Sequence, residues 1–301
     1  MSHFIRSVLA LLFLAAALPA NAAIKVLATT SDWGALTTEL GGDQVNVYTA
    51  TSALQDVHRV DAKPSLVARA RTADLVVATG AELEIGWLPV LIQESGNRRI
   101  QPGNPGYFEA SLFVQRLEAT SGVDRAQGDI HPQGNPHVQT NPHNVSLIGR
   151  ALAERMAELD PDNSAAYQNG FADFKARFDK AIAEWEARAA PLKGKRVITH
   201  HKSWVYMERW LGLQEVANLE PIPGLPPTAG HLSQLVSRFN DGGADVIIRS
   251  PYQDARASEW LMERTGIPAV VLPLTVGGTE KATDLFSLYS DSIDRLLEAT
   301  R

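Results

Sequence analysis

Cysteine is absent from all 301 residues, which excludes a disulfide framework, thiolate metal ligands and a lipid anchor on a cysteine after a signal cleavage point. An exported chain without disulfides must fold on its core alone, and 301 residues with 45% hydrophobic content suffice for that. No dense run of Lys and Arg occurs. With a formal charge of −6 and a pI near 5.8, this argues against nucleic acid or another polyanion as partner and suits small cations better. The 22 glycines and 17 prolines follow no fixed period, so neither a repeat array nor a low-complexity tail is expected.

The first 22 residues read as a cleavable export signal: Arg6 in a short basic start, an apolar run from Val8 to Leu18, and the small-residue pattern Ala20-Asn21-Ala22. The apolar run is shorter than the ~20 residues that cross a bilayer. A soluble mature chain beginning near Ala23 is expected.

Beyond it, β-rich runs alternate with amphipathic stretches. Strands are expected at 24–28, 45–49 and 75–78, and helices at 33–40 and 64–72. Helical periods follow at 145–159 and 164–190, the second with Phe171, Phe174, Phe178, Ile182 and Trp185 on one stripe suited to core packing. A second alternating set has strands at 196–199, 216–219, 246–249 and 269–272 and helices at 229–240, 255–265 and 284–300. The fold class is α/β: two lobes with mostly parallel sheets joined by one long backbone helix. The boundaries are 23–160 for the first lobe, 161–191 for the linking helix and 192–301 for the second lobe.

With no thiolate available, histidine is the natural transition-metal ligand. Three segments carry it: Asp56-Val57-His58, Gly134-Asn135-Pro136-His137 and Thr199-His200-His201-Lys202. Neutral imidazole suits zinc, copper, nickel or iron better than magnesium or calcium. The wide spacing does not fit a local zinc finger, so a shared site requires three loops to converge. In open parallel sheets ligands collect at the carboxyl ends of strands, where His58 and His201 fall. Glu82 and Glu84 read as fixing a strand-to-helix turn. Ser203 lacks a Gly-x-Ser-x-Gly elbow, so a serine hydrolase is a poor reading.

In these segments, together with Ala62-Lys63-Pro64-Ser65, Ala73-Asp74-Leu75-Val76-Val77, Gly80-Ala81-Glu82-Leu83-Glu84 with Trp87, Asn141-Pro142, Tyr206, Gly224-Leu225-Pro226-Pro227 and Gly230-His231-Leu232, the chain resembles the periplasmic zinc/manganese-binding proteins that feed ABC importers, the cluster A-I solute-binding proteins. The resemblance covers essentially the whole mature chain in order. It implies one metal in the cleft between the lobes, with His58, His137 and His201 as ligands and His200 facing the other way. It further implies a monomer in the periplasm that hands its ion to a permease of the inner membrane, with no catalysis.

Many family members carry an Asp-Pro-Leu motif whose aspartate completes the coordination, whereas this chain has Leu272-Pro273-Leu274. Asn141 and Gln139 also replace an aspartate and an aromatic common near the second histidine. The fourth position is expected to be filled by water or by a loop carboxylate, Glu280 or Asp284, with His131 as a competing donor. His131 lies in a turn-rich loop where zinc-handling relatives carry a longer insertion rich in histidine and acid. Three imidazoles without a recognisable carboxylate favour Zn2+ as the transported ligand over Mn2+, with Mn2+ or Fe2+ as alternative cargo. The rival from another class is a three-histidine zinc metalloenzyme, for which no general base can be assigned.

Overall fold

The computed structural model describes residues 23–120 and 128–301, so the expected export signal at 1–22 lies outside the described residues. The first lobe comprises β1 (Ile24–Ala28), α1 (Ser31–Gly41), β2 (Val45–Thr49), α2 (Pro64–Thr72), β3 (Leu75–Ala78), α3 (Leu88–Ser95) and β4 (Tyr107–Glu109). Its strands pair in parallel in the order β2-β1-β3-β4. Parallel neighbours need crossover helices on the sheet faces, which is why β3, Leu-Val-Val-Ala, is apolar at every position and buried throughout.

Two long helices follow, α4 (Pro142–Leu159) and α5 (Ser164–Ala189). Asn141 caps α4, its side chain accepting from the His143 N–H, and Pro142 occupies the first turn, where a missing N–H costs nothing. The second lobe comprises β5 (Arg196–Thr199), α6 (Val205–Leu211), β6 (Gln214–Asn218), α7 (Ala229–Phe239), β7 (Val246–Arg249), α8 (Arg256–Thr265), β8 (Ala269–Val271) and α9 (Leu285–Ala299). Its order is β6-β5-β7-β8, again all parallel.

The expected α/β architecture is therefore present, two parallel sheets with one long helix between them. Three short elements, α3, β4 and α6, escape the sequence pattern. The strand β4 spans three residues and α6 seven, too few for a period to declare itself. The helix α3 begins Leu-Pro-Val, which reads locally as an extended dipeptide.

The linking helix is not a free strut. Tyr167, Phe174, Phe178, Ile182 and Trp185 are buried along one face of α5, and a continuous apolar core passes from Ile24 in the first sheet through that face to Val197 and Leu296 in the second lobe. The C-terminal helix α9 runs back over α5, where the Trp185 indole N–H donates to Ser290 Oγ at 2.9 Å. Tyr289 on the same helix donates to the Gln139 carbonyl at 2.5 Å. On the far side, buried Asp32 at the start of α1 accepts from Thr275 Oγ1 at 2.5 Å and the Val276 N–H at 3.0 Å. Both lobes are thus held by apolar packing behind the cleft and by hydrogen bonds across it. No helix among the described residues is long and apolar enough to cross a membrane.

Candidate metal centre

The carboxyl ends of both sheets face the cleft, and the loops leaving them carry the site. His58 sits in the loop between β2 and α2, His201 two residues after β5, and His137 immediately before the turn that leads into α4. All three are buried. One ring nitrogen from each lies within 4.8 Å of those of the other two. Ring centroids are 5.6–5.8 Å apart.

What equips the trio to hold a metal ion is the other nitrogen of each ring. His58 Nδ1 is 2.8 Å from Asp56 Oδ1, His137 Nδ1 is 3.0 Å from Asn135 Oδ1, and His201 Nδ1 is 2.7 Å from Glu220 Oε2. An Nδ1–H given to an oxygen fixes the tautomer, so each Nε2 is left with a lone pair and no proton. The first two pairs use one local device: Asp56 Oδ1 also accepts the His58 backbone N–H, and Asn135 Oδ1 the His137 backbone N–H, each at 3.0 Å. A side-chain oxygen two residues ahead thus sets both the turn and the ring. Glu220 works at longer range, since it leaves β6 beside β5 and anchors its own loop by accepting the Gly224 N–H at 2.7 Å. Gly224 has φ +80°, and a Cβ there would come within 2.2 Å of Asp129 Oδ2, so glycine is required at that turn.

The charges agree with a cation in the middle. Burial raises the Asp56 carboxyl, but its hydrogen bond to His58 and the attraction of that ring outweigh it and hold the acid below the ordinary carboxylate range. Burial, followed by repulsion from His201, His58 and His131, pushes His137 well below the ordinary imidazole range. A His137 ring that resists protons and an Asp56 carboxylate that stays ionised behind His58 suit a divalent ion between them.

Of the fourth donors expected from the sequence, water, a loop carboxylate or His131, the two carboxylates lie away from the trio. Glu280 is exposed, and Asp284 is the exposed N-cap of α9, where it forms a capping box with Ser287. Neither joins the trio. The Asp284 carboxylate is the local answer to the unpaired N–H groups at a helix start, a use the sequence pattern Asp-x-x-Ser announces. Leu272 is fully buried in the core. Asp32 lines a void of about 20 Å³ beside His58 and His137 but is engaged by Thr275 and Val276. His131, in contrast, is buried and brings Nε2 to 3.3 Å from His58 Nε2. For zinc–nitrogen bonds of about 2.0–2.1 Å, the edge of a tetrahedron is roughly 3.3–3.4 Å. His131 and His58 already stand at that separation.

His200 lies outside the trio: it is buried and lines the larger cavity that adjoins His58 and His201. His143 pairs with Glu186 at 2.8 Å, and His231 binds the Asn218 carbonyl at 2.9 Å beside the Thr228 cap of α7, both structural roles. Glu84 is buried and accepts from Thr29 Oγ1 and the N–H groups of Thr79 and Gly80, fixing the turn after β3. Glu220 escapes the sequence reading because nothing local ties it to His201, 19 residues away. The neighbouring β5 and β6 end at the same sheet edge, and that was the available signal. The repeated Asp-x-His and Asn-x-His spacing likewise pointed to Asp56 and Asn135.

The amide behind His137 shows that a neutral oxygen suffices to orient a ring. Glu220→Gln is therefore expected to weaken divalent-metal binding by about 10-fold and Glu220→Ala by up to about 100-fold, measured by calorimetric titration. Equal affinity in both variants and wild type would show that His201 needs no orienting partner.

Two parallel-sheet lobes closed around a buried imidazole trio define a bilobal solute-binding protein for metal ions. A family profile described as "Zinc-uptake complex component A periplasmic" matches residues 26–299, and the chain belongs to that family. Among curated relatives, it is 24% identical over 275 residues to the manganese ABC transporter substrate-binding lipoprotein scaA of Streptococcus gordonii, covering 89% of this chain and 84% of that one. It is 22% identical over 272 residues to the manganese ABC transporter substrate-binding lipoprotein PsaA of Streptococcus pneumoniae, at 89% and 85% coverage. In fold it is similar to a crystal structure of ZnuA, with TM-score 0.77, 22% identity, and 93% of this chain and 100% of that one covered. It is also similar to the solute-binding protein FpvC of Pseudomonas aeruginosa in complex with Mn2+, with TM-score 0.76, 21% identity, and 92% and 98% covered.

Proposed function

We propose that this protein captures a divalent transition-metal ion, zinc in the first place, in the periplasm and delivers it to an ABC-type importer in the inner membrane. The observation that carries the reading is the convergence of His58, His137 and His201, each with Nδ1 held on an oxygen, an arrangement that turns Nε2 to an ion. His131 supplies the fourth donor by a small movement from its contact with His58. Four imidazoles and no carboxylate in contact suit zinc, because manganese prefers more oxygen donors. The family profile names zinc uptake, which supports the same cargo. The names of the streptococcal relatives support manganese as the second reading. Binding rather than catalysis is favoured over the metalloenzyme because the carboxylates nearest the rings, Asp56 and Glu220, are spent on orienting His58 and His201, and Asp32 is held by Thr275 and Val276.

Chelation followed by competitive reloading with zinc, manganese and iron, read by elemental analysis, tests the cargo. One zinc per chain against equimolar manganese is the expected result. Preferential manganese occupancy would overturn the zinc assignment, and no occupancy by any of the three would overturn the reading as a whole. For the export step, intact mass of periplasmic protein is expected to begin near Ala23. Retention of residues 1–22, or extraction by detergent alone, would contradict it.

A further inference from the structure

Beside the trio lies a cavity of about 670 Å³, far more than one ion requires. It shares His58 and His201 with the candidate metal centre and extends from them between α7 and α8. A water molecule takes about 30 Å³ and drug-sized ligand pockets about 300–1,000 Å³, so this space is of the size that holds an organic molecule. Away from the rings its wall is largely apolar, with one aromatic platform: Trp260, Leu232, Pro226 and Ala257. Toward the metal side the wall turns polar at His200, which is 5% exposed and whose Nδ1 has no hydrogen-bond partner. A buried imidazole nitrogen left without a partner loses the hydrogen bond it had in water, a cost that an incoming polar group would relieve. The rim carries the carboxylates of Asp56, Asp129, Glu220 and Asp254 against the guanidinium groups of Arg59 and Arg256, an excess of negative charge. Citrate-like polyanions are disfavoured there, whereas neutral or cationic metal complexes are attracted.

We propose that the cavity takes a small nitrogen-donor chelator, of the amino-acid or heteroaromatic-amine class, which enters with the ion and keeps one donor on it while its flat ring lies against Trp260. This rests on the metal-binding reading above and extends it: the cargo is a metal complex, held on one side by protein imidazoles and on the other by its own chelator. Zinc accepts a fifth donor and manganese a sixth, so the added atom is compatible with His131 remaining in place.

L-histidine is the probe. Zinc is titrated into metal-free protein with and without excess L-histidine, and the loaded protein is weighed by native mass spectrometry. A pure bare-ion binder loses apparent affinity in step with the zinc that histidine sequesters. The expected result here is a mass of one zinc plus one histidine per chain, with zinc retained at least about 10-fold better than that competition allows. Ala257→Trp fills the cavity from α8 and Trp260→Ala removes the ring platform. Both are expected to bind one zinc as wild type does without histidine, and to lose the histidine mass. A zinc-only mass in wild type, with histidine acting as a plain competitor, would overturn the proposal while leaving zinc binding intact. Histidine retained equally by both variants would place it elsewhere and also overturn it. No zinc uptake in the absence of histidine would defeat the underlying metal-binding reading, a result the histidine-free titration isolates.

Discussion

Replacing His201 with alanine is expected to lower zinc affinity by on the order of 100-fold. Zinc sites built from four protein donors hold about 10–16 kcal/mol, or roughly 3 kcal/mol per donor, and each 1.4 kcal/mol is a factor of 10. The loss should be accompanied by little change in fold, because the His201 ring is held by one hydrogen bond to Glu220 at the cleft and not by the apolar core. His58→Ala and His137→Ala should behave alike. His143→Ala is the matched control: that ring is exposed and pairs with Glu186 on the outer face of α5, so its removal should leave affinity within about 2-fold, as for surface ion pairs generally. Calorimetric titration reads all four. A loss in His200→Ala with none in His201→Ala would reverse the assignment of the neighbouring pair.

Replacing Phe178 with alanine is expected to destabilise the whole chain by about 3–5 kcal/mol, the range for truncating a buried aromatic. The ring is fully buried on α5. It stacks on Phe174 at 4.6 Å and meets Trp185, Phe286 and Tyr289 edge-on at 5.3–5.9 Å. Those partners come from the linking helix and from the C-terminal helix, so the cavity would open where the two lobes share their core. Both lobes should therefore lose stability together. At roughly 2–4 °C per kcal/mol for a chain of this size, calorimetry should show one transition lowered by about 10 °C. Two separated transitions, with only one of them moved, would mean that the lobes have independent cores.

The regular elements were legible because each obeys a simple period. β1, β2, β3, β5 and β7 are short runs dominated by β-branched and aliphatic residues, and α5 declares itself through its aromatic stripe. The trio was legible only through motif order, since no local spacing relates His58, His137 and His201. Their convergence is a property of two sheets whose carboxyl ends face each other. What the sequence hid was the role of groups whose partners lie far along the chain. Glu220 orients His201 from the next strand, and Asp32 spans 243 positions to Thr275. Asp284, one of the carboxylates expected as a fourth donor, has a nearer use: it caps α9 in a capping box with Ser287. His131 was ambiguous in sequence because a turn-rich loop predicts exposure, whereas the fold lays it against His58.

The most direct test is a crystal structure of the zinc-loaded protein with anomalous scattering measured at the zinc edge. One peak is predicted, about 2.0–2.1 Å from Nε2 of His58, His137 and His201, with each Nδ1 still on Asp56, Asn135 or Glu220. A peak bound through Nδ1 of these rings, or one centred on His200, or none in the cleft, would contradict the account.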